Sequence, residues 1–272
     1  MMHEFELIKK YFSKLAKKNK SSLKLNDDVF FDRSKKLVVS VDTYVEGIHF
    51  LNFKKPNLVI KKILRSSISD LICKGVEPKY YFISGSGNKK SFSKINLSKI
   101  SRSLKEEQRK YSIFLCGGDT VFSNKLSFTI TSIGFSNKII FRNKAKLNDD
   151  IYVTGNLGDS FIGLKLLKKK ISLNNNLNKY FINKYYLPDL QTNISKKLLS
   201  FANTSIDISD GLLTDLEKLI NDQKYSYKLF LKDIPISKNL KNLIDLKKYK
   251  KISCISNGDD YQILFTANPS KS

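Results

Sequence analysis

Cysteine is scarce: Cys73, Cys116 and Cys254 make an odd number, with no CxxC spacing. That argues against a disulfide framework or a structural zinc site and fits a reducing cytoplasm. No uninterrupted apolar run approaches the roughly eighteen residues of a membrane span, so none is expected. Glu4 and Glu6 interrupt the N-terminal lysines, and no small-residue cleavage site follows an apolar core. The start reads as mature chain rather than a signal or transit peptide. There are two histidines, His3 and His49, and no Ser-His-Asp or Cys-His arrangement for nucleophilic catalysis. Arginine is limited to Arg33, Arg65, Arg102, Arg109 and Arg142.

Negative charge is also short. Lys and Arg number 49 against 25 Asp and Glu, a net charge of +24. Such a balance raises nucleic-acid or anionic-lipid binding as a hypothesis. The lysines are scattered, however, and rise together with Asn, Ile and Ser, as in a genome biased toward A and T. Nucleic acid is therefore disfavoured as the main partner, while small anions such as nucleotides are drawn in. With 272 residues, 41% of them hydrophobic, the chain is long enough for two domains with real cores.

Phe5, Ile8, Tyr11, Phe12 and Leu15 follow helical spacing and predict an amphipathic helix over 4–16. Asp27-Asp28 precedes an apolar run; the pair is either a solvated turn, the favoured reading in isolation, or a set of hard-cation ligands. A strand is predicted over 36–41, with Asp42 and Thr43 at its end, followed by a loop holding Glu46, Gly47 and His49. A lone histidine is more often structural than a ligand. A helix is expected over 57–74 carrying Asp70, stopped by Gly75 and Pro78. A strand over 80–84, a helix over 95–110 and a strand over 112–116 follow. That last strand is expected to end in Gly117-Gly118-Asp119-Thr120, where glycines admit a ligand and Asp119 could hold a cation, or where the chain simply turns. Residues 126–135 alternate as a strand. A polar linker over about 136–148, with Arg142, marks the expected domain boundary.

Beyond it a strand over 151–154 runs into Gly155-Asn156-Leu157-Gly158-Asp159-Ser160 and an apolar helix. This looks superficially like a phosphate loop but lacks the Lys-Ser/Thr of a P-loop and the third glycine of a dinucleotide fingerprint. Residues 168–178 read as a surface loop and 189–202 as a helix. In Ser205-Ile206-Asp207-Ile208-Ser209-Asp210-Gly211-Leu212, Ser209 or Asp210 is expected to cap the helix that buries Leu212, Leu216 and Leu219. Asp207 and Asp210 flank the turn as metal ligands, or as turn former and cap. Leu229-Phe230-Leu231 reads as a short strand, and Gly258-Asp259-Asp260-Tyr261 as an acidic turn into a final strand.

Taken together, the blocks DD at 27–28, VDTYVEGIHF at 41–50, SD at 69–70, GGDT at 117–120, TGNLGDS at 154–160, SIDISDGLLTDL at 205–216 and GDDYQILFT at 258–266 resemble thiamine-monophosphate kinases over nearly the whole chain. The opening His3-Glu4-Phe5-Glu6-Leu7-Ile8 is similar too. The family shares a superfamily with aminoimidazole ribonucleotide synthetase and selenophosphate synthetase. The resemblance implies a two-domain α/β protein. Residues 1–140 would form a mixed-sheet N-terminal domain of the aminoimidazole ribonucleotide synthetase type, binding ATP and metal and dimerising. Residues 141–272 would form an α/β C-terminal domain. It further implies a homodimer, ATP and thiamine monophosphate as substrates, and several Mg²⁺ ions. By position, Asp28, Asp42, Asp70, Asp119, Asp207 and Asp210 correspond to magnesium ligands, with Ser40 and Asp27 secondary. Gly118, Asp119, Arg142 and Ser209 correspond to ATP contacts, and His49 and Asp259 to contacts with thiamine monophosphate.

The departures are specific. Val41 stands where the family has Thr, Arg65-Ser66-Ser67-Ile68 replaces a small apolar run, and Asp259 and Gln262 stand where Glu is usual. The family pattern also continues for several tens of residues past the position of Phe265, so a fragment or shortened variant is the expectation. No general base is expected, because the acceptor phosphate is already an anion. The barrier is repulsion between two phosphate groups brought into line, which positioning and charge neutralisation overcome. The alternatives are another ATP-using member of the superfamily or a truncated ATP-binding protein without kinase activity. The first cysteine, Cys73, lies too far along for a selenophosphate synthetase.

Overall fold

Residues 4–246 and 248–271 are described by a computed structural model. The first sheet has five strands: β1 (Phe30–Asp32), β2 (Leu37–Val45), β3 (Pro78–Gly87), β4 (Phe114–Phe122) and β5 (Ser127–Phe135), in the order β1-β2-β5-β3-β4. The β3–β4 pair is parallel and the others are antiparallel, so the sheet is mixed, as expected. The second sheet, β6 (Asp150–Val153), β7 (Ala202–Asp207) and β8 (Ile263–Ala267), is antiparallel in the order β6-β8-β7. The helices are α1 (Glu4–Leu7), α2 (Ser13–Ala16), α3 (Pro56–Cys73), α4 (Lys94–Tyr111), α5 (Asp159–Leu167), α6 (Asn175–Tyr186), α7 (Thr192–Leu198), α8 (Leu212–Leu219), α9 (Lys238–Asp245) and α10 (Lys251–Ile255).

Helix α3 joins the two sheets. Pro56 opens it at the first turn, where a missing N–H costs nothing. Val59, Ile60, Ile63, Leu64, Ile68, Leu71 and Ile72 recur at helical spacing and are all buried. Their burial contributes roughly 10–20 kcal/mol as an upper bound. The helix ends in a Schellman motif. The Val76 N–H reaches back to the Leu71 carbonyl at 3.0 Å and the Gly75 N–H to Ile72 at 3.1 Å, with Gly75 at φ +79° and Val76 packed in one cluster with Leu71. One core runs from α3 and the first sheet through Tyr185, Tyr186 and Leu198 to Ile263 and Phe265 of β8.

Several expectations change. The N-terminal helix forms in pieces, with a π-helical turn over Ile8–Phe12 between α1 and α2. Leu7, Tyr11, Phe12 and Leu15 remain exposed. His3 and the Phe5 side chain lie outside the described residues. Asp42 is not at a strand end: β2 runs on to Val45, paired throughout with β5. The GGDT block is not a turn but the middle of β4. There a Cβ on Gly118 would lie 1.7 Å from the Ile83 carbonyl oxygen, so glycine lets the β3 backbone come close. Residues 229–231 form no strand, because the free edge of β6 lies across a groove rather than within bonding distance. Helix α6 starts inside the predicted loop over 168–178; the Asn174 side chain caps it by accepting the Leu177 N–H.

Candidate functional site

The site begins as a polar stripe on an apolar helix. Lys62, Ser66, Asp70 and Lys74 follow each other at i+4 along α3 and its C-cap, and Ser69 sits beside them, so all point the same way. Lys62, Ser66, Ser69 and Lys74 are buried. The stripe faces β2 on one side and the end of β7 on the other. Polar side chains so deep require partners.

Those partners are acids. Asp28, Asp70 and Asp207 each offer a carboxylate oxygen within 4.8 Å of the other two. Ser40, in β2, donates its hydroxyl to Asp70 Oδ2, and Ser69 donates to Asp207 Oδ2. Tyr44 donates to Asp42 Oδ2 at 3.3 Å. Lys74 Nζ lies 2.8 Å from Asp27 Oδ1 and 2.7 Å from Asp28 Oδ2, and donates to the Ser205 carbonyl at 2.7 Å. Arg142 donates from Nε to Asp28 Oδ2 at 3.2 Å and pairs with Asp28 Oδ1 through its other arm. Its backbone N–H bonds Asp27 Oδ2 at 3.0 Å. The adjacent acids of the loop before β1 are therefore no solvated turn.

Burial sets the electrostatics. It pushes the Asp70 carboxyl well above the usual range, reinforced by the charges of Asp42 and Asp207. Burial likewise raises Asp207 to about 6, against the lowering hydrogen bond from Ser69. At Lys74 burial works against the charge, but Asp27, Cys73 and Asp70 together outweigh it and the ammonium is held above its ordinary value. Burial lowers Arg142, opposed by Asp27. The centre is thus a desolvated set of carboxylates that repel one another, which a cation would relieve.

A second patch adjoins it. Lys62 pairs with Asp259 and lies over the Tyr185 ring at 4.2 Å and the Tyr261 ring at 5.4 Å. The Tyr261 hydroxyl donates to Asp259 Oδ1 at 3.1 Å. His49 accepts the Val45 N–H at Nδ1, 2.9 Å away, and meets Tyr44 edge-on at 5.9 Å. Burial lowers its pKa, Asp259 acts against that, and Lys62 adds to it. His49 and Asp259 therefore share one electrostatic neighbourhood.

Other expected residues lie apart. Asp119 is exposed on β4, bonded to the Thr120 N–H at 2.8 Å, beside Gly118. Asp210 is exposed and pairs with Lys218. Neither Ser209 nor Asp210 caps α8. Gly211 holds the cap position, and buried Asp215 reaches back to accept the N–H groups of Asp210 at 2.8 Å and Gly211 at 3.0 Å. The Ser209 carbonyl instead accepts the Asp259 N–H at 2.9 Å, locking the two acidic loops together. Sequence reasoning missed Lys62, Lys74 and Asp215, and named Ser69 only as part of the SD block, without its bond to Asp207. The i+4 polar stripe along α3 was the available signal for Lys62 and Lys74. A cavity of about 900 Å³ lies away from the acids, between β6 and residues 224–235, lined by Ile151, Val153, Leu216, Tyr227 and Phe230 among others.

The family model "AIR synthase related protein, N-terminal domain" matches residues 26–136. The thiamine-monophosphate kinase of Buchnera aphidicola subsp. Acyrthosiphon pisum is 37% identical over 270 residues, covering 97% of this chain and 82% of that protein. The chain belongs to the thiamine-monophosphate kinase family. The thiamine-monophosphate kinase of Haemophilus influenzae is 32% identical, over 98% of this chain and 82% of that relative. Among solved structures, AaThiL complexed with AMPPCP and TMP superposes with a TM-score of 0.89 at 26% identity, over 100% of this chain and 89% of that one. The mixed α/β fold of this kinase family is thereby established for the whole described chain.

Proposed function

We propose that this chain transfers the γ-phosphoryl group of ATP to the phosphate of thiamine monophosphate, giving thiamine diphosphate and ADP by direct in-line transfer. The observation that carries the reading is the convergence of Asp28, Asp70 and Asp207 in a chain 37% identical to a thiamine-monophosphate kinase. The complex of AaThiL, 26% identical to this chain, with AMPPCP and TMP supports the two substrates. The donor set fits magnesium: hard carboxylate oxygens, buried, with pKa values raised by desolvation and mutual repulsion. Asp70 and Asp207, with Asp42 and Ser40 around them, would hold it beside Asp28; Asp119 is proposed to contribute from β4 and Asp210 from its loop. Bound there, it would neutralise charge on the transferring phosphoryl group.

The chain's own residues do the rest. Ser40 and Ser69 orient Asp70 and Asp207. Arg142 carries a planar fork for ATP phosphates, with Gly118 and Ser209 as further contacts. Lys62 brings a positive charge to the His49–Asp259 patch, where the phosphate of thiamine monophosphate is proposed to lie. No side chain need remove a proton from an acceptor that is already anionic. We read residues 1–140 and 141–272 as the two domains. A cytoplasmic homodimer paired through the exposed edge of β4 completes the proposal. No helix among the described residues is long and apolar enough to cross a membrane.

Incubation with ATP, Mg²⁺ and thiamine monophosphate, followed by chromatography, is expected to yield thiamine diphosphate in step with ADP. ADP formation without thiamine diphosphate would overturn the substrate assignment.

A further inference from the structure

The acidic centre is divided in its partners. Asp28 has cations on both oxygens, Lys74 on Oδ2 and Arg142 on both. Asp27 shares Lys74. Asp70 and Asp207 instead accept hydroxyls from Ser40 and Ser69, which orient them without adding charge. Lys74 is not a mobile surface lysine. Its backbone is fixed as the C-cap of α3 by the Schellman turn, its side chain is fully buried, and its ammonium has three donors with three acceptors, Asp27, Asp28 and the Ser205 carbonyl.

We propose that Lys74 is a built-in cation of the acidic centre, occupying the Asp27–Asp28 end so that divalent cations are held at the Asp70–Asp207 end alone. This rests on reading the cluster as a magnesium site. It assigns Asp28 in this chain to an internal ion pair rather than to a divalent cation, and gives Lys74 a positioning role: it limits how many divalent ions the nucleotide-free protein takes. Lys74 is paired to Asp28, whose carboxylate has an oxygen within 4.8 Å of those of Asp70 and Asp207, and a unit charge so near opposes a second cation appreciably even at an effective dielectric constant of about 20.

The test is a titration of nucleotide-free protein with Mn²⁺, the free ion followed by electron paramagnetic resonance, for the wild type and Lys74→Met. Methionine matches the lysine in length and removes the charge. The expected result is one more Mn²⁺ bound by the variant, or affinity tighter by about tenfold. Melting temperature should fall for Lys74→Met in chelator and recover when Mg²⁺ is added. Should Lys74→Met not fold in chelator, Lys74→Gln, which keeps a donor for Ser205, carries the same expectation. If wild type and variant bind Mn²⁺ in equal number and affinity, Lys74 has no such role and the proposal is overturned. An equal loss of melting temperature with and without Mg²⁺ also overturns it, marking Lys74 as structural only. If neither protein binds Mn²⁺, the magnesium reading of the cluster fails, and this one with it.

Discussion

Asp70 on α3 and Asp207 at the end of β7 come from opposite halves of the chain, yet each offers a carboxylate oxygen within 4.8 Å of the other. Folding forces this repulsion, which burial intensifies. An acid held so has a purpose in binding positive charge. Asp70→Asn keeps an acceptor for Ser40 and removes one charge. It is expected to lower the kinase rate by about a hundredfold or more. In chelator the same variant should be more stable than wild type, by roughly 1 kcal/mol, because a disfavoured ionised group is gone. A steady-state assay and a thermal melt in chelator check the two halves. Near-normal turnover would remove Asp70 from the machinery.

Asp260 gives stability a pH dependence away from the metal cluster. It is buried, and desolvation raises it from 3.8 to about 8, against the lowering hydrogen bond from the Gly158 N–H. A carboxyl raised in the folded state contributes stability fully present below its unfolded pKa and lost as pH rises through the folded one. The window therefore runs from about pH 4 to about pH 8. Asp260→Asn keeps an acceptor for Gly158 and cannot ionise. Its melting temperature is expected to fall much less than that of the wild type between pH 5 and 8.5. Parallel curves for the two proteins would show that Asp260 does not titrate in that range.

Lys62 is the cation of the second patch. It is buried between Asp259 and the Tyr185 ring. Lys62→Met leaves Asp259 with the Tyr261 hydroxyl but no cation, and withdraws positive charge from the place proposed for the substrate phosphate. KM for thiamine monophosphate is expected to rise about tenfold, consistent with losing a contact worth roughly 1.4 kcal/mol, while KM for ATP changes little. Equal effects on both substrates would place Lys62 in general stability instead.

Much of this was legible in the sequence because the pattern was local. Pro56, the apolar spacing and Gly75 bound α3 closely, and the alternation over 126–135 gave β5. What stayed hidden needed contacts across the chain. GGDT looks like a turn until β3 lies against it, since only that neighbour explains Gly118. Asp42 looks like a strand end until β5 extends the pairing to Val45. Asp28, Asp70 and Asp207 were singled out, but their joining by Lys74, Arg142 and two serines was not, because lysine is so common here that two buried ones do not stand out. Asp215 was missed for a similar reason: it looks like an exposed helical acid, and its capping bonds run backwards to Asp210 and Gly211.

The outer edge of β4 carries the last expectation. All nine of its residues are exposed, among them Phe114, Leu115, Val121 and Phe122. A long edge strand with apolar side chains and free backbone groups is a template for another strand. Proteins that stay monomeric blunt such an edge with charge, proline or a bulge that turns it away; Phe114–Phe122 contains one acid, no lysine or proline, and one register shift at Cys116, beyond which pairing with β3 runs unbroken from Gly117 to Phe122. Pairing with the same strand of a second copy buries the apolar residues and satisfies the backbone in one step. Light scattering is therefore expected to return twice the chain mass. Val121→Lys, placing like charges face to face across the dyad, is expected to shift the protein toward monomer. A wild type that scatters as a monomer at micromolar concentration would rule out β4 as the dimer interface.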